Sequence, residues 1–180
     1  MANKLIRQAP LRDVFAPGHF GATGPGTPGI RLTARTRLTI HDLQVWPETR
    51  DKTQARLDTA DVEAIWFGPD RWLVVGDGFE IDDGDGLLAD ISHGMSAIRL
   101  SGPKLRELLS KGTNIDLRPA HFKAGDAAMT KLDHIHVTLK MLADDCVDVY
   151  FRRSYGVSLF EWLMSGAREY GCRVEESEAS

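Results

Sequence analysis

From Ile30 onward the chain alternates. Ile30, Leu32 and Ala34 point away from Arg31, Thr33 and Arg35, and Leu38 and Ile40 extend the series. A period of two predicts a strand with one wet face. The next alternating pair of runs is a hairpin. Val62, Ala64 and Trp66 lead into Gly68-Pro69-Asp70, whose residues supply turn chemistry, and Trp72 to Val75 runs back. Gly76 to Gly86 reads as a Gly- and Asp-rich loop, Leu87 to Ile91 returns to the core, and Ser96 to Leu100 gives a further strand. The period then changes. Ser101-Gly102-Pro103 opens a helix with Ser or Gly as cap, Leu105, Leu108 and Leu109 share one face, and Gly112 ends it. Beyond the Asp116–Gly125 loop come three strands: one around Ala128, Thr130 and Leu132, one with Ile135, Val137, Leu139 and Met141 on a single face, and one from Cys146 to Phe151. On the second of these, His134, His136, Thr138 and Lys140 take the other face. A last helix, capped by Ser154, places Val157, Phe160, Leu163, Met164, Ala167 and Tyr170 at helical spacing, with Gly171 at its C-terminal cap.

The order strand, helix, strands, helix predicts an α+β fold, helices packed on antiparallel sheets in a split β-α-β arrangement. Residues 31–172 are expected to form a single domain, with room for two small lobes. Residues 1–30 are expected to be an extended N-terminal arm, because Pro17, Pro25 and Pro28 with Gly18, Gly21, Gly24, Gly26 and Gly29 favour turns and extended backbone. Leu5, Ile6, Leu11, Val14 and Phe15, flanked by Lys4, Arg7 and Arg12, would suit docking on a partner chain, so removing residues 1–16 should leave the melting temperature nearly unchanged but weaken co-purification with partner chains. Residues 173–180 are polar and rich in glutamate, which predicts a frayed tail.

Composition changes this picture little. A chain of 180 residues with 42% apolar and 27% charged side chains can bury a full core unaided. Cys146 and Cys172 do not make a disulfide framework and fit a reducing compartment. No apolar run is long enough to span a bilayer, and the first residues lack a signal-peptide core, so a cytoplasmic protein without membrane contact is expected. Charge is more informative, because the net −4 is segregated. Residues 1–40 hold six basic and one acidic side chain, residues 41–95 four and thirteen, residues 96–140 eight and four, and residues 141–180 four and eight. A nucleic-acid binder needs one sustained basic face, which these blocks do not provide. They fit either solvated loops or docking by complementary charge.

The candidate chemistry is thin. His134 and His136 could reach one metal from a strand face, but no third ligand has the usual spacing. Asp77, Asp82, Asp83 and Asp85 suggest a calcium loop. In that alignment Ile81 falls at the first ligand position and Ser92 at the twelfth, where a bidentate glutamate is required. Gly24, Gly26 and Gly29 have fingerprint spacing, but prolines interrupt the loop and a strand follows where a helix is needed. Ser92 and His93 point to opposite faces of an extended segment. Cys172 has no positioned base. Trp66, Trp72 and Trp162 read as core or interface anchors, Trp162 being worth several kcal/mol if buried. No catalytic, cofactor-binding or metal-binding residue is therefore assigned to this chain, and the purified protein should be colourless and bind neither flavin nor NAD.

Several blocks resemble a known family. Trp66 to Val74, containing "GPDRWLV", resembles a hairpin of sarcosine oxidase gamma subunits. Asp90-Ile91-Ser92-His93-Gly94 and Ile98 to Lys104 resemble their "DLSHG" and "LRLSGPK" blocks. Gly112 with Ile115 to Pro119, Thr130-Lys131-Leu132, Arg153-Ser154-Tyr155, Ser158-Leu159 and Glu161-Trp162-Leu163 continue the likeness in order across about residues 61–171. The first 60 residues match only loosely. The resemblance implies a fold like part of the glycine cleavage aminomethyltransferase. It also implies a non-catalytic subunit of a heterotetramer with alpha, beta and delta chains, in which sarcosine is demethylated to glycine. FAD, FMN, NAD and tetrahydrofolate would then sit on the partner subunits, with zinc on the delta chain, and none on this one. The alternatives are a free-standing folate-dependent aminomethyltransferase, a folate-binding module, or the matching subunit of a related dehydrogenase such as one acting on N-methylglutamate.

Overall fold

The computed structural model describes residue 11, residues 15–21 and residues 28–179, with the side chains of 176–179 excepted. Leu5, Ile6, Val14 and the basic residues beside them, like most of the Gly24–Gly29 loop, lie outside the described residues. Among the described residues, eleven strands and three α-helices follow in the order β1 (Gly18–Phe20), β2 (Ile30–Thr36), β3 (Ile40–Val45), α1 (Arg50–Thr59), β4 (Glu63–Gly68), β5 (Arg71–Val75), β6 (Gly86–Asp90), β7 (Met95–Ser101), α2 (Leu105–Ser110), β8 (Ala127–Leu132), β9 (Ile135–Ala143), β10 (Cys146–Arg152), α3 (Gly156–Ala167) and β11 (Cys172–Ala179). The fold is α+β, as the periodicities predict.

Two sheets carry it. The larger has the order β1-β11-β2-β7-β10-β9-β8, antiparallel throughout except where β11 lies parallel to β2; the smaller has the order β4-β5-β3-β6. The layering follows from which faces are apolar. One face of the large sheet (Leu32, Ile98, Leu139, Val149) buries Leu105, Leu108 and Leu109 of α2 and Leu159, Leu163 and Ala167 of α3. Its other face, through Ala97 and Tyr150, meets Ile40, Ile65, Leu73 and Val75 of the small sheet. The outer face of the small sheet (Leu43, Val45, Trp72, Val74) is covered by Leu57 of α1 and by Phe79. The chain is thus helices, sheet, sheet, helix. Thr138 is accordingly buried, because the small sheet covers the face of β9 that a simple alternation leaves wet.

Four expectations are corrected. The polar tail is a strand: β11 runs from Cys172 to Ala179 beside β2, with β1 on its other side over Cys172–Val174, and Cys172 and Val174 are buried. Hydrogen bonding to two neighbours overrides the weak strand preference of its glutamates. The expectation that removing residues 1–16 leaves the melting temperature unmoved also changes. Leu11 is buried in the main core, the Phe15 ring packs 5.2 Å from that of Phe160, and β1 pairs with β11. Removing residues 1–16 should therefore lower stability by about 2 to 4 kcal/mol through loss of Leu11 and Phe15. A truncated chain that melts where the intact one does would refute this. Leu87 does not return to the core but is 61% exposed on the edge strand β6. Ser154 does not cap α3; it lies in a 3-10 turn, and the helix starts at Gly156 without a side-chain cap.

Candidate functional site

A cleft of about 780 Å³ is lined by residues of both sheets. That volume is in the range of small-molecule and peptide-anchoring sites. Its floor is the face of β8, β9 and β10 turned toward the small sheet. Successive rows of cross-strand neighbours can be read from the register: Met129, Thr138 and Tyr150 form one row, and Lys131 and His136 begin the next. Its walls are Phe67, Ile91 and Met95, with Tyr155 at the mouth.

The carboxylates that line the cleft are paired within the chain. Arg71 lies over the Phe67 ring at 4.9 Å and donates from Nε to Asp42 Oδ1 at 2.7 Å, with a second, shorter bond from Nη2 to Asp42 Oδ2. Asp133 is engaged by His134 Nδ1 at 2.5 Å. Tyr150 is fully buried, and its hydroxyl donates to Glu63 Oε2 at 3.2 Å, tying the large sheet to the small one. Burial, then the charges of Glu63 and Asp148, pushes the Tyr150 phenol well above its ordinary value. The linkage sign follows. The unfolded chain releases this proton near pH 10, the folded chain holds it, and so the contribution is whole below pH 10 and is lost as pH rises further. Tyr150→Phe should cost about 1 to 2 kcal/mol at neutral pH. It should also flatten the alkaline fall in stability, which for one such proton approaches about 1.4 kcal/mol per pH unit. Denaturation of both proteins from pH 8 to 11 measures this, and parallel curves would show that the phenol is not responsible.

The residues weighed from the sequence are dispersed. His134 sits in the β8–β9 turn facing Asp133, whereas His136 stands on β9 in the cleft, so the two do not share a face. Among the described residues no cluster of His, Cys, Asp and Glu could hold a metal. The acidic loop is not a calcium site but a counter-charge: Lys52 binds Asp82 at 2.8 Å and Asp85 at 2.7 Å, and Arg56 binds Asp82 at 2.8 Å. Ser92 is structural. Its Oγ donates to Asp90 Oδ1 at 2.5 Å and accepts the Ile40 amide at 2.9 Å, which pins β3 to the chain after β6. The Ser92 hydroxyl, and after it the Ser92 amide, holds the Asp90 carboxyl below its usual range. Cys172 is buried beside Met164 Sδ at 3.9 Å, and burial pushes its thiol up to about 11, the reverse of what a nucleophile needs. Trp72 is core, Trp66 is largely exposed, and Trp162 is half-buried against Gly112.

The model of the "Sarcosine oxidase, gamma subunit family" matches residues 54–169. The chain belongs to the sarcosine oxidase gamma subunit family. Among its relatives is the sarcosine oxidase subunit gamma of Corynebacterium sp. (strain P-1), 29% identical over 115 residues, which are 59% of this chain and 57% of that protein. The chain thus spans less than two thirds of that relative. In fold it is similar to a chain of the heterotetrameric sarcosine oxidase from Corynebacterium sp. U-96 in complex with pyrrole 2-carboxylate, with a TM-score of 0.78 at 20% identity, covering 91% of this chain and 96% of that one. It is also similar to the glycine cleavage system aminomethyltransferase T from Bartonella henselae, with a TM-score of 0.56 at 10% identity, over 83% of this chain and 48% of that one. At such identities the likeness is one of fold alone, and it brings no aminomethyl transfer to this gamma-family chain. The matched region begins within α1 and includes the β4–β5 hairpin, the whole floor of the cleft and α3. Among the described residues, no helix of this family member is long and apolar enough to cross a membrane.

Proposed function

We propose that this chain is the gamma-type subunit of a heterotetrameric sarcosine oxidase, a scaffold and contact subunit beside alpha, beta and delta chains. Oxidation of sarcosine, or of a related N-methyl amino acid, then takes place on partners that hold the flavins, NAD and tetrahydrofolate. The carrying observation is that family membership and a fold shared with almost the whole of one chain of such a heterotetramer coincide. The carboxylates lining the cleft, Asp42 and Asp133, are held in contacts within the chain. A cytoplasmic location suits Cys146 and Cys172, neither of which is joined in a disulfide.

The test is co-expression of the tagged chain with alpha-, beta- and delta-type subunits. Purification through the tag should recover all four chains in constant ratio, with amine oxidation and flavin colour in the complex and a colourless chain when it is expressed alone. Recovery of the tagged chain by itself after co-expression would overturn the assignment. Flavin released on denaturing the isolated chain would overturn its cofactor-free character.

A further inference from the structure

We propose that the mouth of the cleft receives an acidic, amphipathic segment of a partner subunit. The proposal rests on the subunit assignment above and adds where and by what chemistry the contact is made. Its basis is a row of basic side chains. Lys131 on β8 stands directly opposite His136 on β9. Phe151 on β10 pairs with Val137, so Arg152, one residue further, continues the row beside His136. Neighbouring strands are about 4.8 Å apart, so three basic side chains on three strands form a line on the order of 10 Å long. All three are exposed and border the cleft.

None of the three has an ion-pair or side-chain hydrogen-bond partner among the described residues, whereas the carboxylates nearby are engaged: Asp42 by Arg71 and Asp133 by His134. An acidic occupant would gain charge-assisted bonds to Lys131 and Arg152. The surface beside the row is apolar. Met129, two residues along β8, is 46% exposed, and Tyr155 at the mouth is 44% exposed, above the half-buried Phe67 and Met95.

The line is too long for one carboxylate. Acidic side chains three or four apart on a helix stand about 5 to 6 Å from each other, close to the strand spacing, and such a helix presents apolar residues alongside them. Its apolar side chains would cover Met129 and Tyr155, while its carboxylates meet Lys131, His136 and Arg152 and set the orientation.

The test uses the co-expressed four-chain complex with the photo-reactive residue p-benzoylphenylalanine replacing Met129. Irradiation and peptide mass spectrometry should place the cross-links in a single partner stretch rich in Asp and Glu. Charge reversal, Lys131→Glu with Arg152→Glu, should reduce cross-link yield at least about tenfold, and Lys131→Gln with Arg152→Gln should reduce it less. Both double variants alter exposed side chains, so the isolated chains should melt where the wild type does. Cross-links to a second copy of this chain, to a stretch without net negative charge, or in undiminished yield after charge reversal would each overturn the proposal. So would the absence of cross-links while the chain still co-purifies, and that result leaves the subunit assignment standing. Failure of the wild-type chain to co-purify removes the assignment, and this contact with it.

Discussion

Replacing Asp148 with alanine should destabilise the chain by about 3 to 5 kcal/mol, the effect of removing one partner from a buried ionic cluster. Asp148 on β10 is fully buried. Arg99, its register partner on β7, donates Nε to Oδ1 and Nη2 to Oδ2, both at 2.8 Å, and Arg35 on β2 donates to Oδ2 at 2.5 Å. One carboxylate thus fastens three strands of the large sheet beneath the small one. Without it two guanidinium groups, whose side chains are only 14% and 29% exposed, would lose the carboxylate they share. For a chain of this size the melting temperature should fall by about 10 °C. Asp148→Asn, which still accepts hydrogen bonds, should fall between the two. Urea denaturation of the isolated chain gives the free energies. A loss below about 1 kcal/mol for the alanine variant would show that the arginines reach water and that the cluster is not what holds these strands.

Gly102→Ala should be nearly as damaging, at about 3 kcal/mol or more, because strain and collision act together. Gly102 has φ +126°, and a Cβ there would stand 2.4 Å from the carbonyl oxygen of Gly29. That carbonyl cannot easily retreat. It accepts the Lys104 amide at 3.1 Å, and a Cβ on Gly29 would itself stand 2.6 Å from the Tyr170 carbonyl oxygen. The start of β2, the entry to α2 and the end of α3 are packed backbone to backbone at this point. Gly78→Ala separates the two effects. Its φ is +80° but nothing lies within 4 Å of the added atom, so strain alone should cost about 1 kcal/mol. Equal losses for the two variants, measured by the same denaturation curves, would show that the close approach at Gly102 relaxes.

The elements that could be read from the sequence are those whose burial is written in their own periodicity. The β4–β5 hairpin declares itself by alternation around Gly68-Pro69-Asp70, and α3 by six apolar positions on a helical spacing, five of which are buried or packed on the core. Helix α1 has no such signal. Only Thr53 and Leu57 are buried, and its basic side chains answer carboxylates in the loop before β6, a relation between distant segments that no local window contains. Strand β11 was illegible for the same reason: glutamates dominate it, and its place is set by neighbours more than a hundred residues earlier. The cleft divides likewise. His136 attracts notice as half of a histidine pair, yet its true neighbours are Lys131 and, through the register of β10, Arg152. Only strand pairing brings those residues together.

The position of β11 also governs the order in which the sheet can be built. Among the described residues β1 pairs with β11 alone, and β2 has β11 as one of its two neighbours. During synthesis these early strands leave the ribosome first, and the strand that joins them is the last of the described elements to follow. For that interval β2 is a sheet edge, with its hydrogen-bonding groups on one side unmatched. An open edge of this kind invites pairing with other chains. Completion of the fold is therefore a late event of high sequence separation, and slow among the steps available to a chain of this length. A nascent or C-terminally clipped chain would carry β2 as an adhesive edge, and its exposure to aggregation would last as long as that edge stays open.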